Sequence, residues 1–203
     1  MKGLLIVDVQ NDFCPGGALA VPNGDQIIPV INLLVDRFDI VLQTQDWHPA
    51  GHSSFASQYA DKSEYDTVKM PYGDQVLWPD HCVQGSPGAE FHPDLKTETS
   101  QMIIRKGFRP AVDSYSAFYE NDHSTPTGLK GFLEERNVDT LYVTGLATDF
   151  CVKWTVLDGL KNRFEVYVVE DATMGIDIGD SVSQAWQEME QAGAKRIASQ
   201  QIK

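Results

Sequence analysis

Short uninterrupted apolar runs alternate along most of the chain with segments whose apolar residues recur at helical spacing. Residues 4–9, 40–45, 102–105, 140–144 and 165–169 are β-branched and apolar, as strands buried on both faces should be. Between them, residues 26–37 put Ile27, Val30, Ile31 and Leu34 on one helical face, and helices are expected at 127–136 and 181–192. A last short strand is expected at 195–198. Strand and helix alternate with no internal repeat, which predicts an α/β fold: a doubly wound, mainly parallel sheet with helices on both faces. Two stretches depart from this rhythm. Gly16 and Gly17 make a turn after the first strand, with residues 19–21 as a short hairpin arm. Residues 49–100 show little periodicity and much Gly, Pro, Ser and aromatic content, a loop-rich excursion of the length usually kept for function. The whole chain, 1–203, reads as one domain.

The stretch 139–158 organises the rest. Its strand meets Gly145, which is expected to break it, and Thr148 or Asp149 can cap a helix carrying Phe150, Cys151, Trp154 and Leu157. Cys151 then falls in a first helical turn, where unpaired N–H groups and the positive end of the dipole favour a thiolate. An open α/β sheet places its chemistry just past the carboxyl ends of its strands. A small buried cysteine packing helix on sheet has the same pattern, so this stretch alone leaves both readings open.

Other strand ends carry polar groups too. Asp8 ends an apolar strand and calls for a cation or a proton-transfer role. Lys106, at the end of residues 102–105, can supply that cation or can be a surface lysine. Asp46 and His48, two apart in extended chain, project to one side. With His81 from Trp-Pro-Asp-His-Cys they make one carboxylate and two imidazoles, a set suited to Zn²⁺, Fe²⁺ or Mn²⁺ with open positions. The alternative is that Asp46 and His48 bond loop backbone.

Composition narrows the function classes. A net charge of −13 without a basic run repels nucleic acid and anionic membrane surfaces, so neither is an expected partner. Cys14, Cys82 and Cys151 are an odd number without CxxC spacing, which suggests neither a disulfide framework nor a thiolate zinc site. Charge at Asp8 arrives too early for a secretory leader, and no segment reaches membrane-spanning length, so a cytoplasmic protein is expected.

Taken together in order, Asp8, Asp46-x-His48, Trp-Pro-Asp-His81-Cys, Arg105-Lys106-Gly107 and Gly145-Leu-Ala-Thr-Asp-x-Cys151-Val resemble the cysteine hydrolases of isochorismatase-like fold, and among them the nicotinamidase (pyrazinamidase) family. The resemblance runs from about residue 4 to the final strand. It implies a six-stranded parallel sheet of order 3-2-1-4-5-6 and a catalytic triad of Asp8, Lys106 and Cys151. It implies one divalent metal ion (Zn, Fe or Mn) on Asp46, His48 and His81, with His52 outside the ligand set. It also implies a cis peptide between Leu146 and Ala147, an oxyanion hole from the amides of Ala147 and Cys151, and a substrate wall of Phe13, Leu19, Trp78, Tyr115 and Leu146. The implied reaction converts nicotinamide to nicotinic acid and ammonia through a cysteine thioester, with pyrazinamide as a second substrate, in a monomer or homodimer. Amidases of this fold acting on carbamoyl or ureido substrates lack the Asp-His-His set, and isochorismatases lack the cysteine. A catalytically silent nicotinamide-binding module is the alternative of another class.

Overall fold

The computed structural model describes residues 1–202. In chain order the strands are β1 (Lys2–Val7), β2 (Ile40–Asp46), β3 (Thr67–Met70), β4 (Gly73–Val76), β5 (Met102–Lys106), β6 (Thr140–Leu146), β7 (Glu165–Met174) and β8 (Lys195–Ile197). The α-helices are α1 (Ile28–Leu34), α2 (Leu129–Glu135), α3 (Lys153–Lys161) and α4 (Ser181–Gln191). Six strands form one parallel sheet in the order β5-β2-β1-β6-β7-β8, while β3 and β4 pair antiparallel in a separate ribbon. With the ribbon set aside, that order is the 3-2-1-4-5-6 winding.

Alternation along β1 shows how both faces are filled. Leu4 and Ile6 pack in one layer with Ile28, Ile31 and Leu34 of α1. Leu5 and Val7 pack in the other with Leu129 and Leu133 of α2, Val156 of α3 and Met189 of α4. Every residue of β6 is buried, as expected for a central strand covered on both sides. Each such Leu, Ile or Val contributes roughly 1.5–3 kcal/mol by leaving water. The winding reverses between β1 and β6, and in this architecture the crevice at that reversal is where ligands bind.

Several local expectations are corrected. Residues 26–37 are not one helix: α1 is flanked by 3₁₀ turns at Gly24–Ile27 and Val35–Arg37. Pro29 lacks an N–H and is tolerated only in a first turn, so the α-helix starts beside it. Residues 19–21 form no hairpin. Leu19 N–H and Val21 N–H instead donate to the carbonyls of Asp12 (3.0 Å) and Phe13 (3.0 Å), folding this segment onto the 3₁₀ turn Asn11–Phe13. The aperiodic excursion contains the β3–β4 ribbon, closed by Pro71 and Tyr72; its strands are only four residues long, and Gly73-Asp-Gln-Val76 carries no apolar alternation.

Gly145 does not end β6, which continues to Leu146. It has φ +108°, and a Cβ there would lie 2.0 Å from the carbonyl oxygen of Val7, so only glycine lets β1 and β6 stay paired. Neither Thr148 nor Asp149 caps a helix. The helical run opens with a π-helical turn, Thr148–Val152, preceded by Ala147. Thr148 Oγ1 pairs with Thr173 Oγ1 at 2.8 Å. Asp149 accepts from Ile176 N–H (3.0 Å), Asp177 N–H (2.9 Å) and Ser181 Oγ (2.6 Å), tying this turn to the segment after β7.

Candidate active site

Sheet register brings the polar strand ends together. Pairing of β2 with β5 sets Asp46 opposite Lys106, and pairing of β1 with β6 sets Val7 opposite Gly145, one residue before Asp8. Asp8 has φ 47°, a left-handed conformation that costs a non-glycine residue on the order of 1–3 kcal/mol. Thr44 holds it there: its hydroxyl donates to Asp8 Oδ1 (2.6 Å) and accepts from Asp8 N–H (3.1 Å).

Lys106 is the centre of the cluster. Its Nζ lies 2.7 Å from Asp8 Oδ2 and 3.4 Å from Cys151 Sγ, donates to Ser114 O at 2.9 Å, and also pairs with Asp46 Oδ1. Apart from this contact with Lys106, the buried Asp8 Oδ2 has no polar partner among the described residues. Asp8, Asp46 and Cys151 present ligand atoms within 4.8 Å of one another.

Burial pushes Asp8 up to about 6, against the pull of Lys106 and with the help of Asp46. Burial alone would discharge Lys106, but Asp46 and Asp8 outweigh it and hold the ammonium charged. For Cys151 the sequence expectation fails. Burial, reinforced by Asp8 and Asp46, overrides Lys106 and moves the thiol well above the ordinary cysteine range. The resting group is a thiol beside a carboxylate base, not a standing thiolate.

The second cluster shares Asp46. Asp46 Oδ2 lies 3.6 Å from His48 Nε2 and 3.7 Å from His81 Nε2, and all three residues are buried. His48 Nδ1–H donates to Gly107 O (2.9 Å) and His81 Nδ1–H donates to Pro79 O (2.8 Å), which leaves each Nε2 lone pair facing the carboxylate. Buried His48 Nε2 has no hydrogen-bond partner among the described residues. Burial would raise Asp46, but Lys106 above all holds it well below the usual carboxylate range, so the carboxylate is anionic. An orphaned imidazole nitrogen, a second free one and a carboxylate converging on one point fit a divalent ion. Gly107 makes the approach possible: its φ is +67° and a Cβ would lie 2.4 Å from the His48 ring. His52 stays out of the set, because Nε2–H donates to Arg109 O (2.9 Å) and Nδ1 pairs with Ser54 Oγ (2.8 Å).

Both clusters meet one narrow cavity, partly open to solvent. Phe13, Leu19, Trp78 and Tyr115 line it, as do Ala147, Cys151, Asp46 and His81, while Asp8, Lys106 and His48 lie buried behind. The Leu146–Ala147 peptide is cis. Leu146, expected on the wall, does not line the cavity: it is fully buried, with its side chain near Gly24. Sequence reasoning did not single out Asp113, Phe150 or Ile176, which also line the cavity. Phe150 packs edge-on to Trp78 with ring centroids 4.8 Å apart, and its place beside Cys151 was the one available signal. Asp113 and Ile176 come from segments whose position only the fold sets.

A doubly wound parallel sheet, with a buried Asp–Lys–Cys cluster at its switch point and an Asp–His–His set alongside that could hold a metal ion, defines an α/β protein with a candidate active site where the strand order reverses. The isochorismatase domain model matches residues 2–201, and the chain belongs to that family. It is 55% identical over 199 residues to a nicotinamidase of Acinetobacter baylyi, covering 98% of this chain and 93% of that one. It superposes on the solved nicotinamidase/pyrazinamidase of Acinetobacter baumanii with a TM-score of 0.97 at 56% identity, covering 98% and 96% of the two chains. A pyrazinamidase of Pyrococcus horikoshii, solved in complex with zinc, superposes with a TM-score of 0.80 at 37% identity, covering 97% and 98%.

Proposed function

We propose that this protein hydrolyses nicotinamide to nicotinic acid and ammonia, with Cys151 as nucleophile, Asp8 as acid–base group and Lys106 as their common counter-charge. The observation that carries this reading is the placement of Cys151 Sγ 3.4 Å from Lys106 Nζ at the edge of a small aromatic-walled cavity that also receives Asp46 and His81. The wall is mainly aromatic and apolar with a few polar groups converging on it, the make-up of a site for a small aromatic amide. The kinship with nicotinamidases supports the same substrate.

The charge balance assigns the steps. With a pKa of about 6, Asp8 is mostly ionised at pH 7 and has a free oxygen within reach of the Cys151 thiol. It takes that proton as sulfur attacks the carboxamide carbon, and Lys106 stabilises the charge that develops on sulfur. The amides of Ala147 and Cys151 receive the oxyanion; one such donor is worth ~10²–10³ in rate. Asp8 returns its proton to the departing ammonia, leaving a thioester on Cys151. Water then gives a proton to Asp8 and attacks the thioester, nicotinic acid leaves, and the proton returns to sulfur. Phe13, Leu19, Trp78 and Tyr115 hold the ring and exclude bulk water.

Asp46, His48 and His81 would hold the divalent ion (Zn, Fe or Mn), which when bound supplies a Lewis-acid anchor for the ring nitrogen. Pyrazinamide, a carboxamide on a ring of the same size, is accepted by the same wall. Ammonia release from nicotinamide by purified protein, with its metal content measured on the same sample, tests the reading. A metal-loaded sample that releases none would sink it.

A further inference from the structure

The buried Gln75 of β4 takes no part in the steps above, yet it touches two residues of the cavity wall. Its Nε2 donates to Tyr115 Oη (2.8 Å), Asp113 Oδ2 (3.0 Å) and Val76 O (2.8 Å), two N–H bonds shared among three acceptors. Its Oε1 accepts from Tyr72 Oη (3.1 Å) and Asn121 Nδ2 (3.2 Å). A carboxylate only accepts, so Asp113 fixes which end of the amide faces the wall. Tyr115 Oη accepts a second N–H, from Trp78 Nε1 at 3.0 Å. Its own proton has no acceptor among the described residues. Burial, with the charge of Asp113, pushes the phenol well above its ordinary range, so that proton is retained at any working pH.

Resting on the amidase reading above, we propose that Gln75 is a positioning residue: with both acceptor sites of Tyr115 filled by Gln75 and Trp78, the one remaining hydroxyl proton is offered to a hydrogen-bond acceptor on the bound substrate. The ribbon thereby becomes part of the binding site. A glutamine that merely glued the ribbon to the body would affect melting temperature and leave substrate affinity alone.

Steady-state kinetics on nicotinamide separate the two. Gln75→Met keeps length and volume but removes the amide. Loss of one oriented hydrogen bond should raise KM about 3- to 10-fold while kcat stays within about twofold. Tyr115→Phe should do the same, and Gln75→Met added to Tyr115→Phe should raise KM by less than about twofold more, because the hydroxyl it acts through is gone. Gln75→Leu removes the same amide with a different apolar shape, so it guards against a packing defect peculiar to the Met variant; it should raise KM likewise. Wild-type KM in either Gln75 variant, or an equal KM increase with and without the Tyr115 hydroxyl, overturns the proposal. A wild-type protein that turns over no nicotinamide would count against the amidase reading; turnover with unchanged KM in the variants counts against Gln75 alone.

Discussion

Asp8 and Asp46 share one cation, the ammonium of Lys106, and so the Asp8–Lys106–Cys151 cluster and the Asp46–His48–His81 cluster are electrostatically one site. All three side chains are essentially removed from solvent. Two carboxylates at that depth stay ionised only because a charge sits between them. The same lysine also pulls on the Cys151 thiol, though not enough to ionise it at rest.

Replacing Lys106 by Met should therefore destabilise the fold, not only slow the reaction. Removing one partner of a buried ion pair typically costs about 3–5 kcal/mol. Without Lys106 both carboxylates should titrate higher in the folded state than in the unfolded one. The deficit should be greatest at neutral pH and shrink as pH falls and the carboxyls take up protons. Urea unfolding of both proteins at pH 7 and pH 5 measures it; equal stability at pH 7 would contradict the shared-cation account.

Asp8 should appear in the pH profile. Its pKa is raised to about 6, and it must be ionised to accept the thiol proton. The value of kcat/KM should then fall as pH drops through about 6, one proton at a time, and a bound divalent cation beside Asp46 would move that limb lower by favouring the carboxylate. Asp8→Asn should lose ~10²–10⁴ in turnover together with the limb, as expected for a missing acid–base group. A wild-type limb persisting in Asp8→Asn would assign it to another residue.

Chelation should abolish nicotinamide turnover while the far-UV circular dichroism stays unchanged. Asp46 ends β2, whereas His81 comes from the excursion, so the ion cross-links a strand end to a loop without holding the sheet together. Zn²⁺, Fe²⁺ or Mn²⁺ added back should restore activity. Full turnover by a sample shown to be metal-free would remove the ion from the mechanism.

Thiol labelling should single out Cys151 by access rather than by a standing thiolate. Burial raises all three thiols: Cys14 to about 11, where Asp25 adds to the effect, and Cys82 and Cys151 well above the ordinary range. Only Cys151 lines the cavity and has Asp8 beside it to take the proton. Iodoacetamide should inactivate slowly at pH 6 and faster as Asp8 ionises, with label on Cys151 and protection by nicotinic acid. Inactivation tracking label on Cys14 or Cys82 would point to a different nucleophile.

The fold was legible because the information is local. Unbroken apolar runs at residues 4–9 and 140–144 can be satisfied only as strands covered on both faces, and alternation with amphipathic helices then leaves few ways to wind them. The chemical side chains were legible for a related reason. Asp8, Asp46, Lys106 and Cys151 are polar groups at or just beyond apolar strand ends, where burial without a partner is unfavourable, so each signals a partner. Details that depend on weak local preference were not: the β3–β4 ribbon, the π-helical turn before α3, and the absence of a side-chain cap on Thr148 or Asp149.

What only the tertiary structure decided is how those groups act on one another. The sequence places Lys106 beside Cys151 and suggests a thiolate; packing buries the sulfur among two carboxylates and makes it a thiol with a waiting base. Leu146 reads as wall but is fully buried, its side chain near Gly24 and not in the cavity lining. Asp113 and Gln75 carry no sequence signal, since the ribbon and the loop that present them meet only after the excursion folds back over the sheet. Composition and spacing specify which groups must find partners. Distance, burial and the sum of charges around each group specify what it does, and those quantities exist only once segments far apart in the chain are packed together.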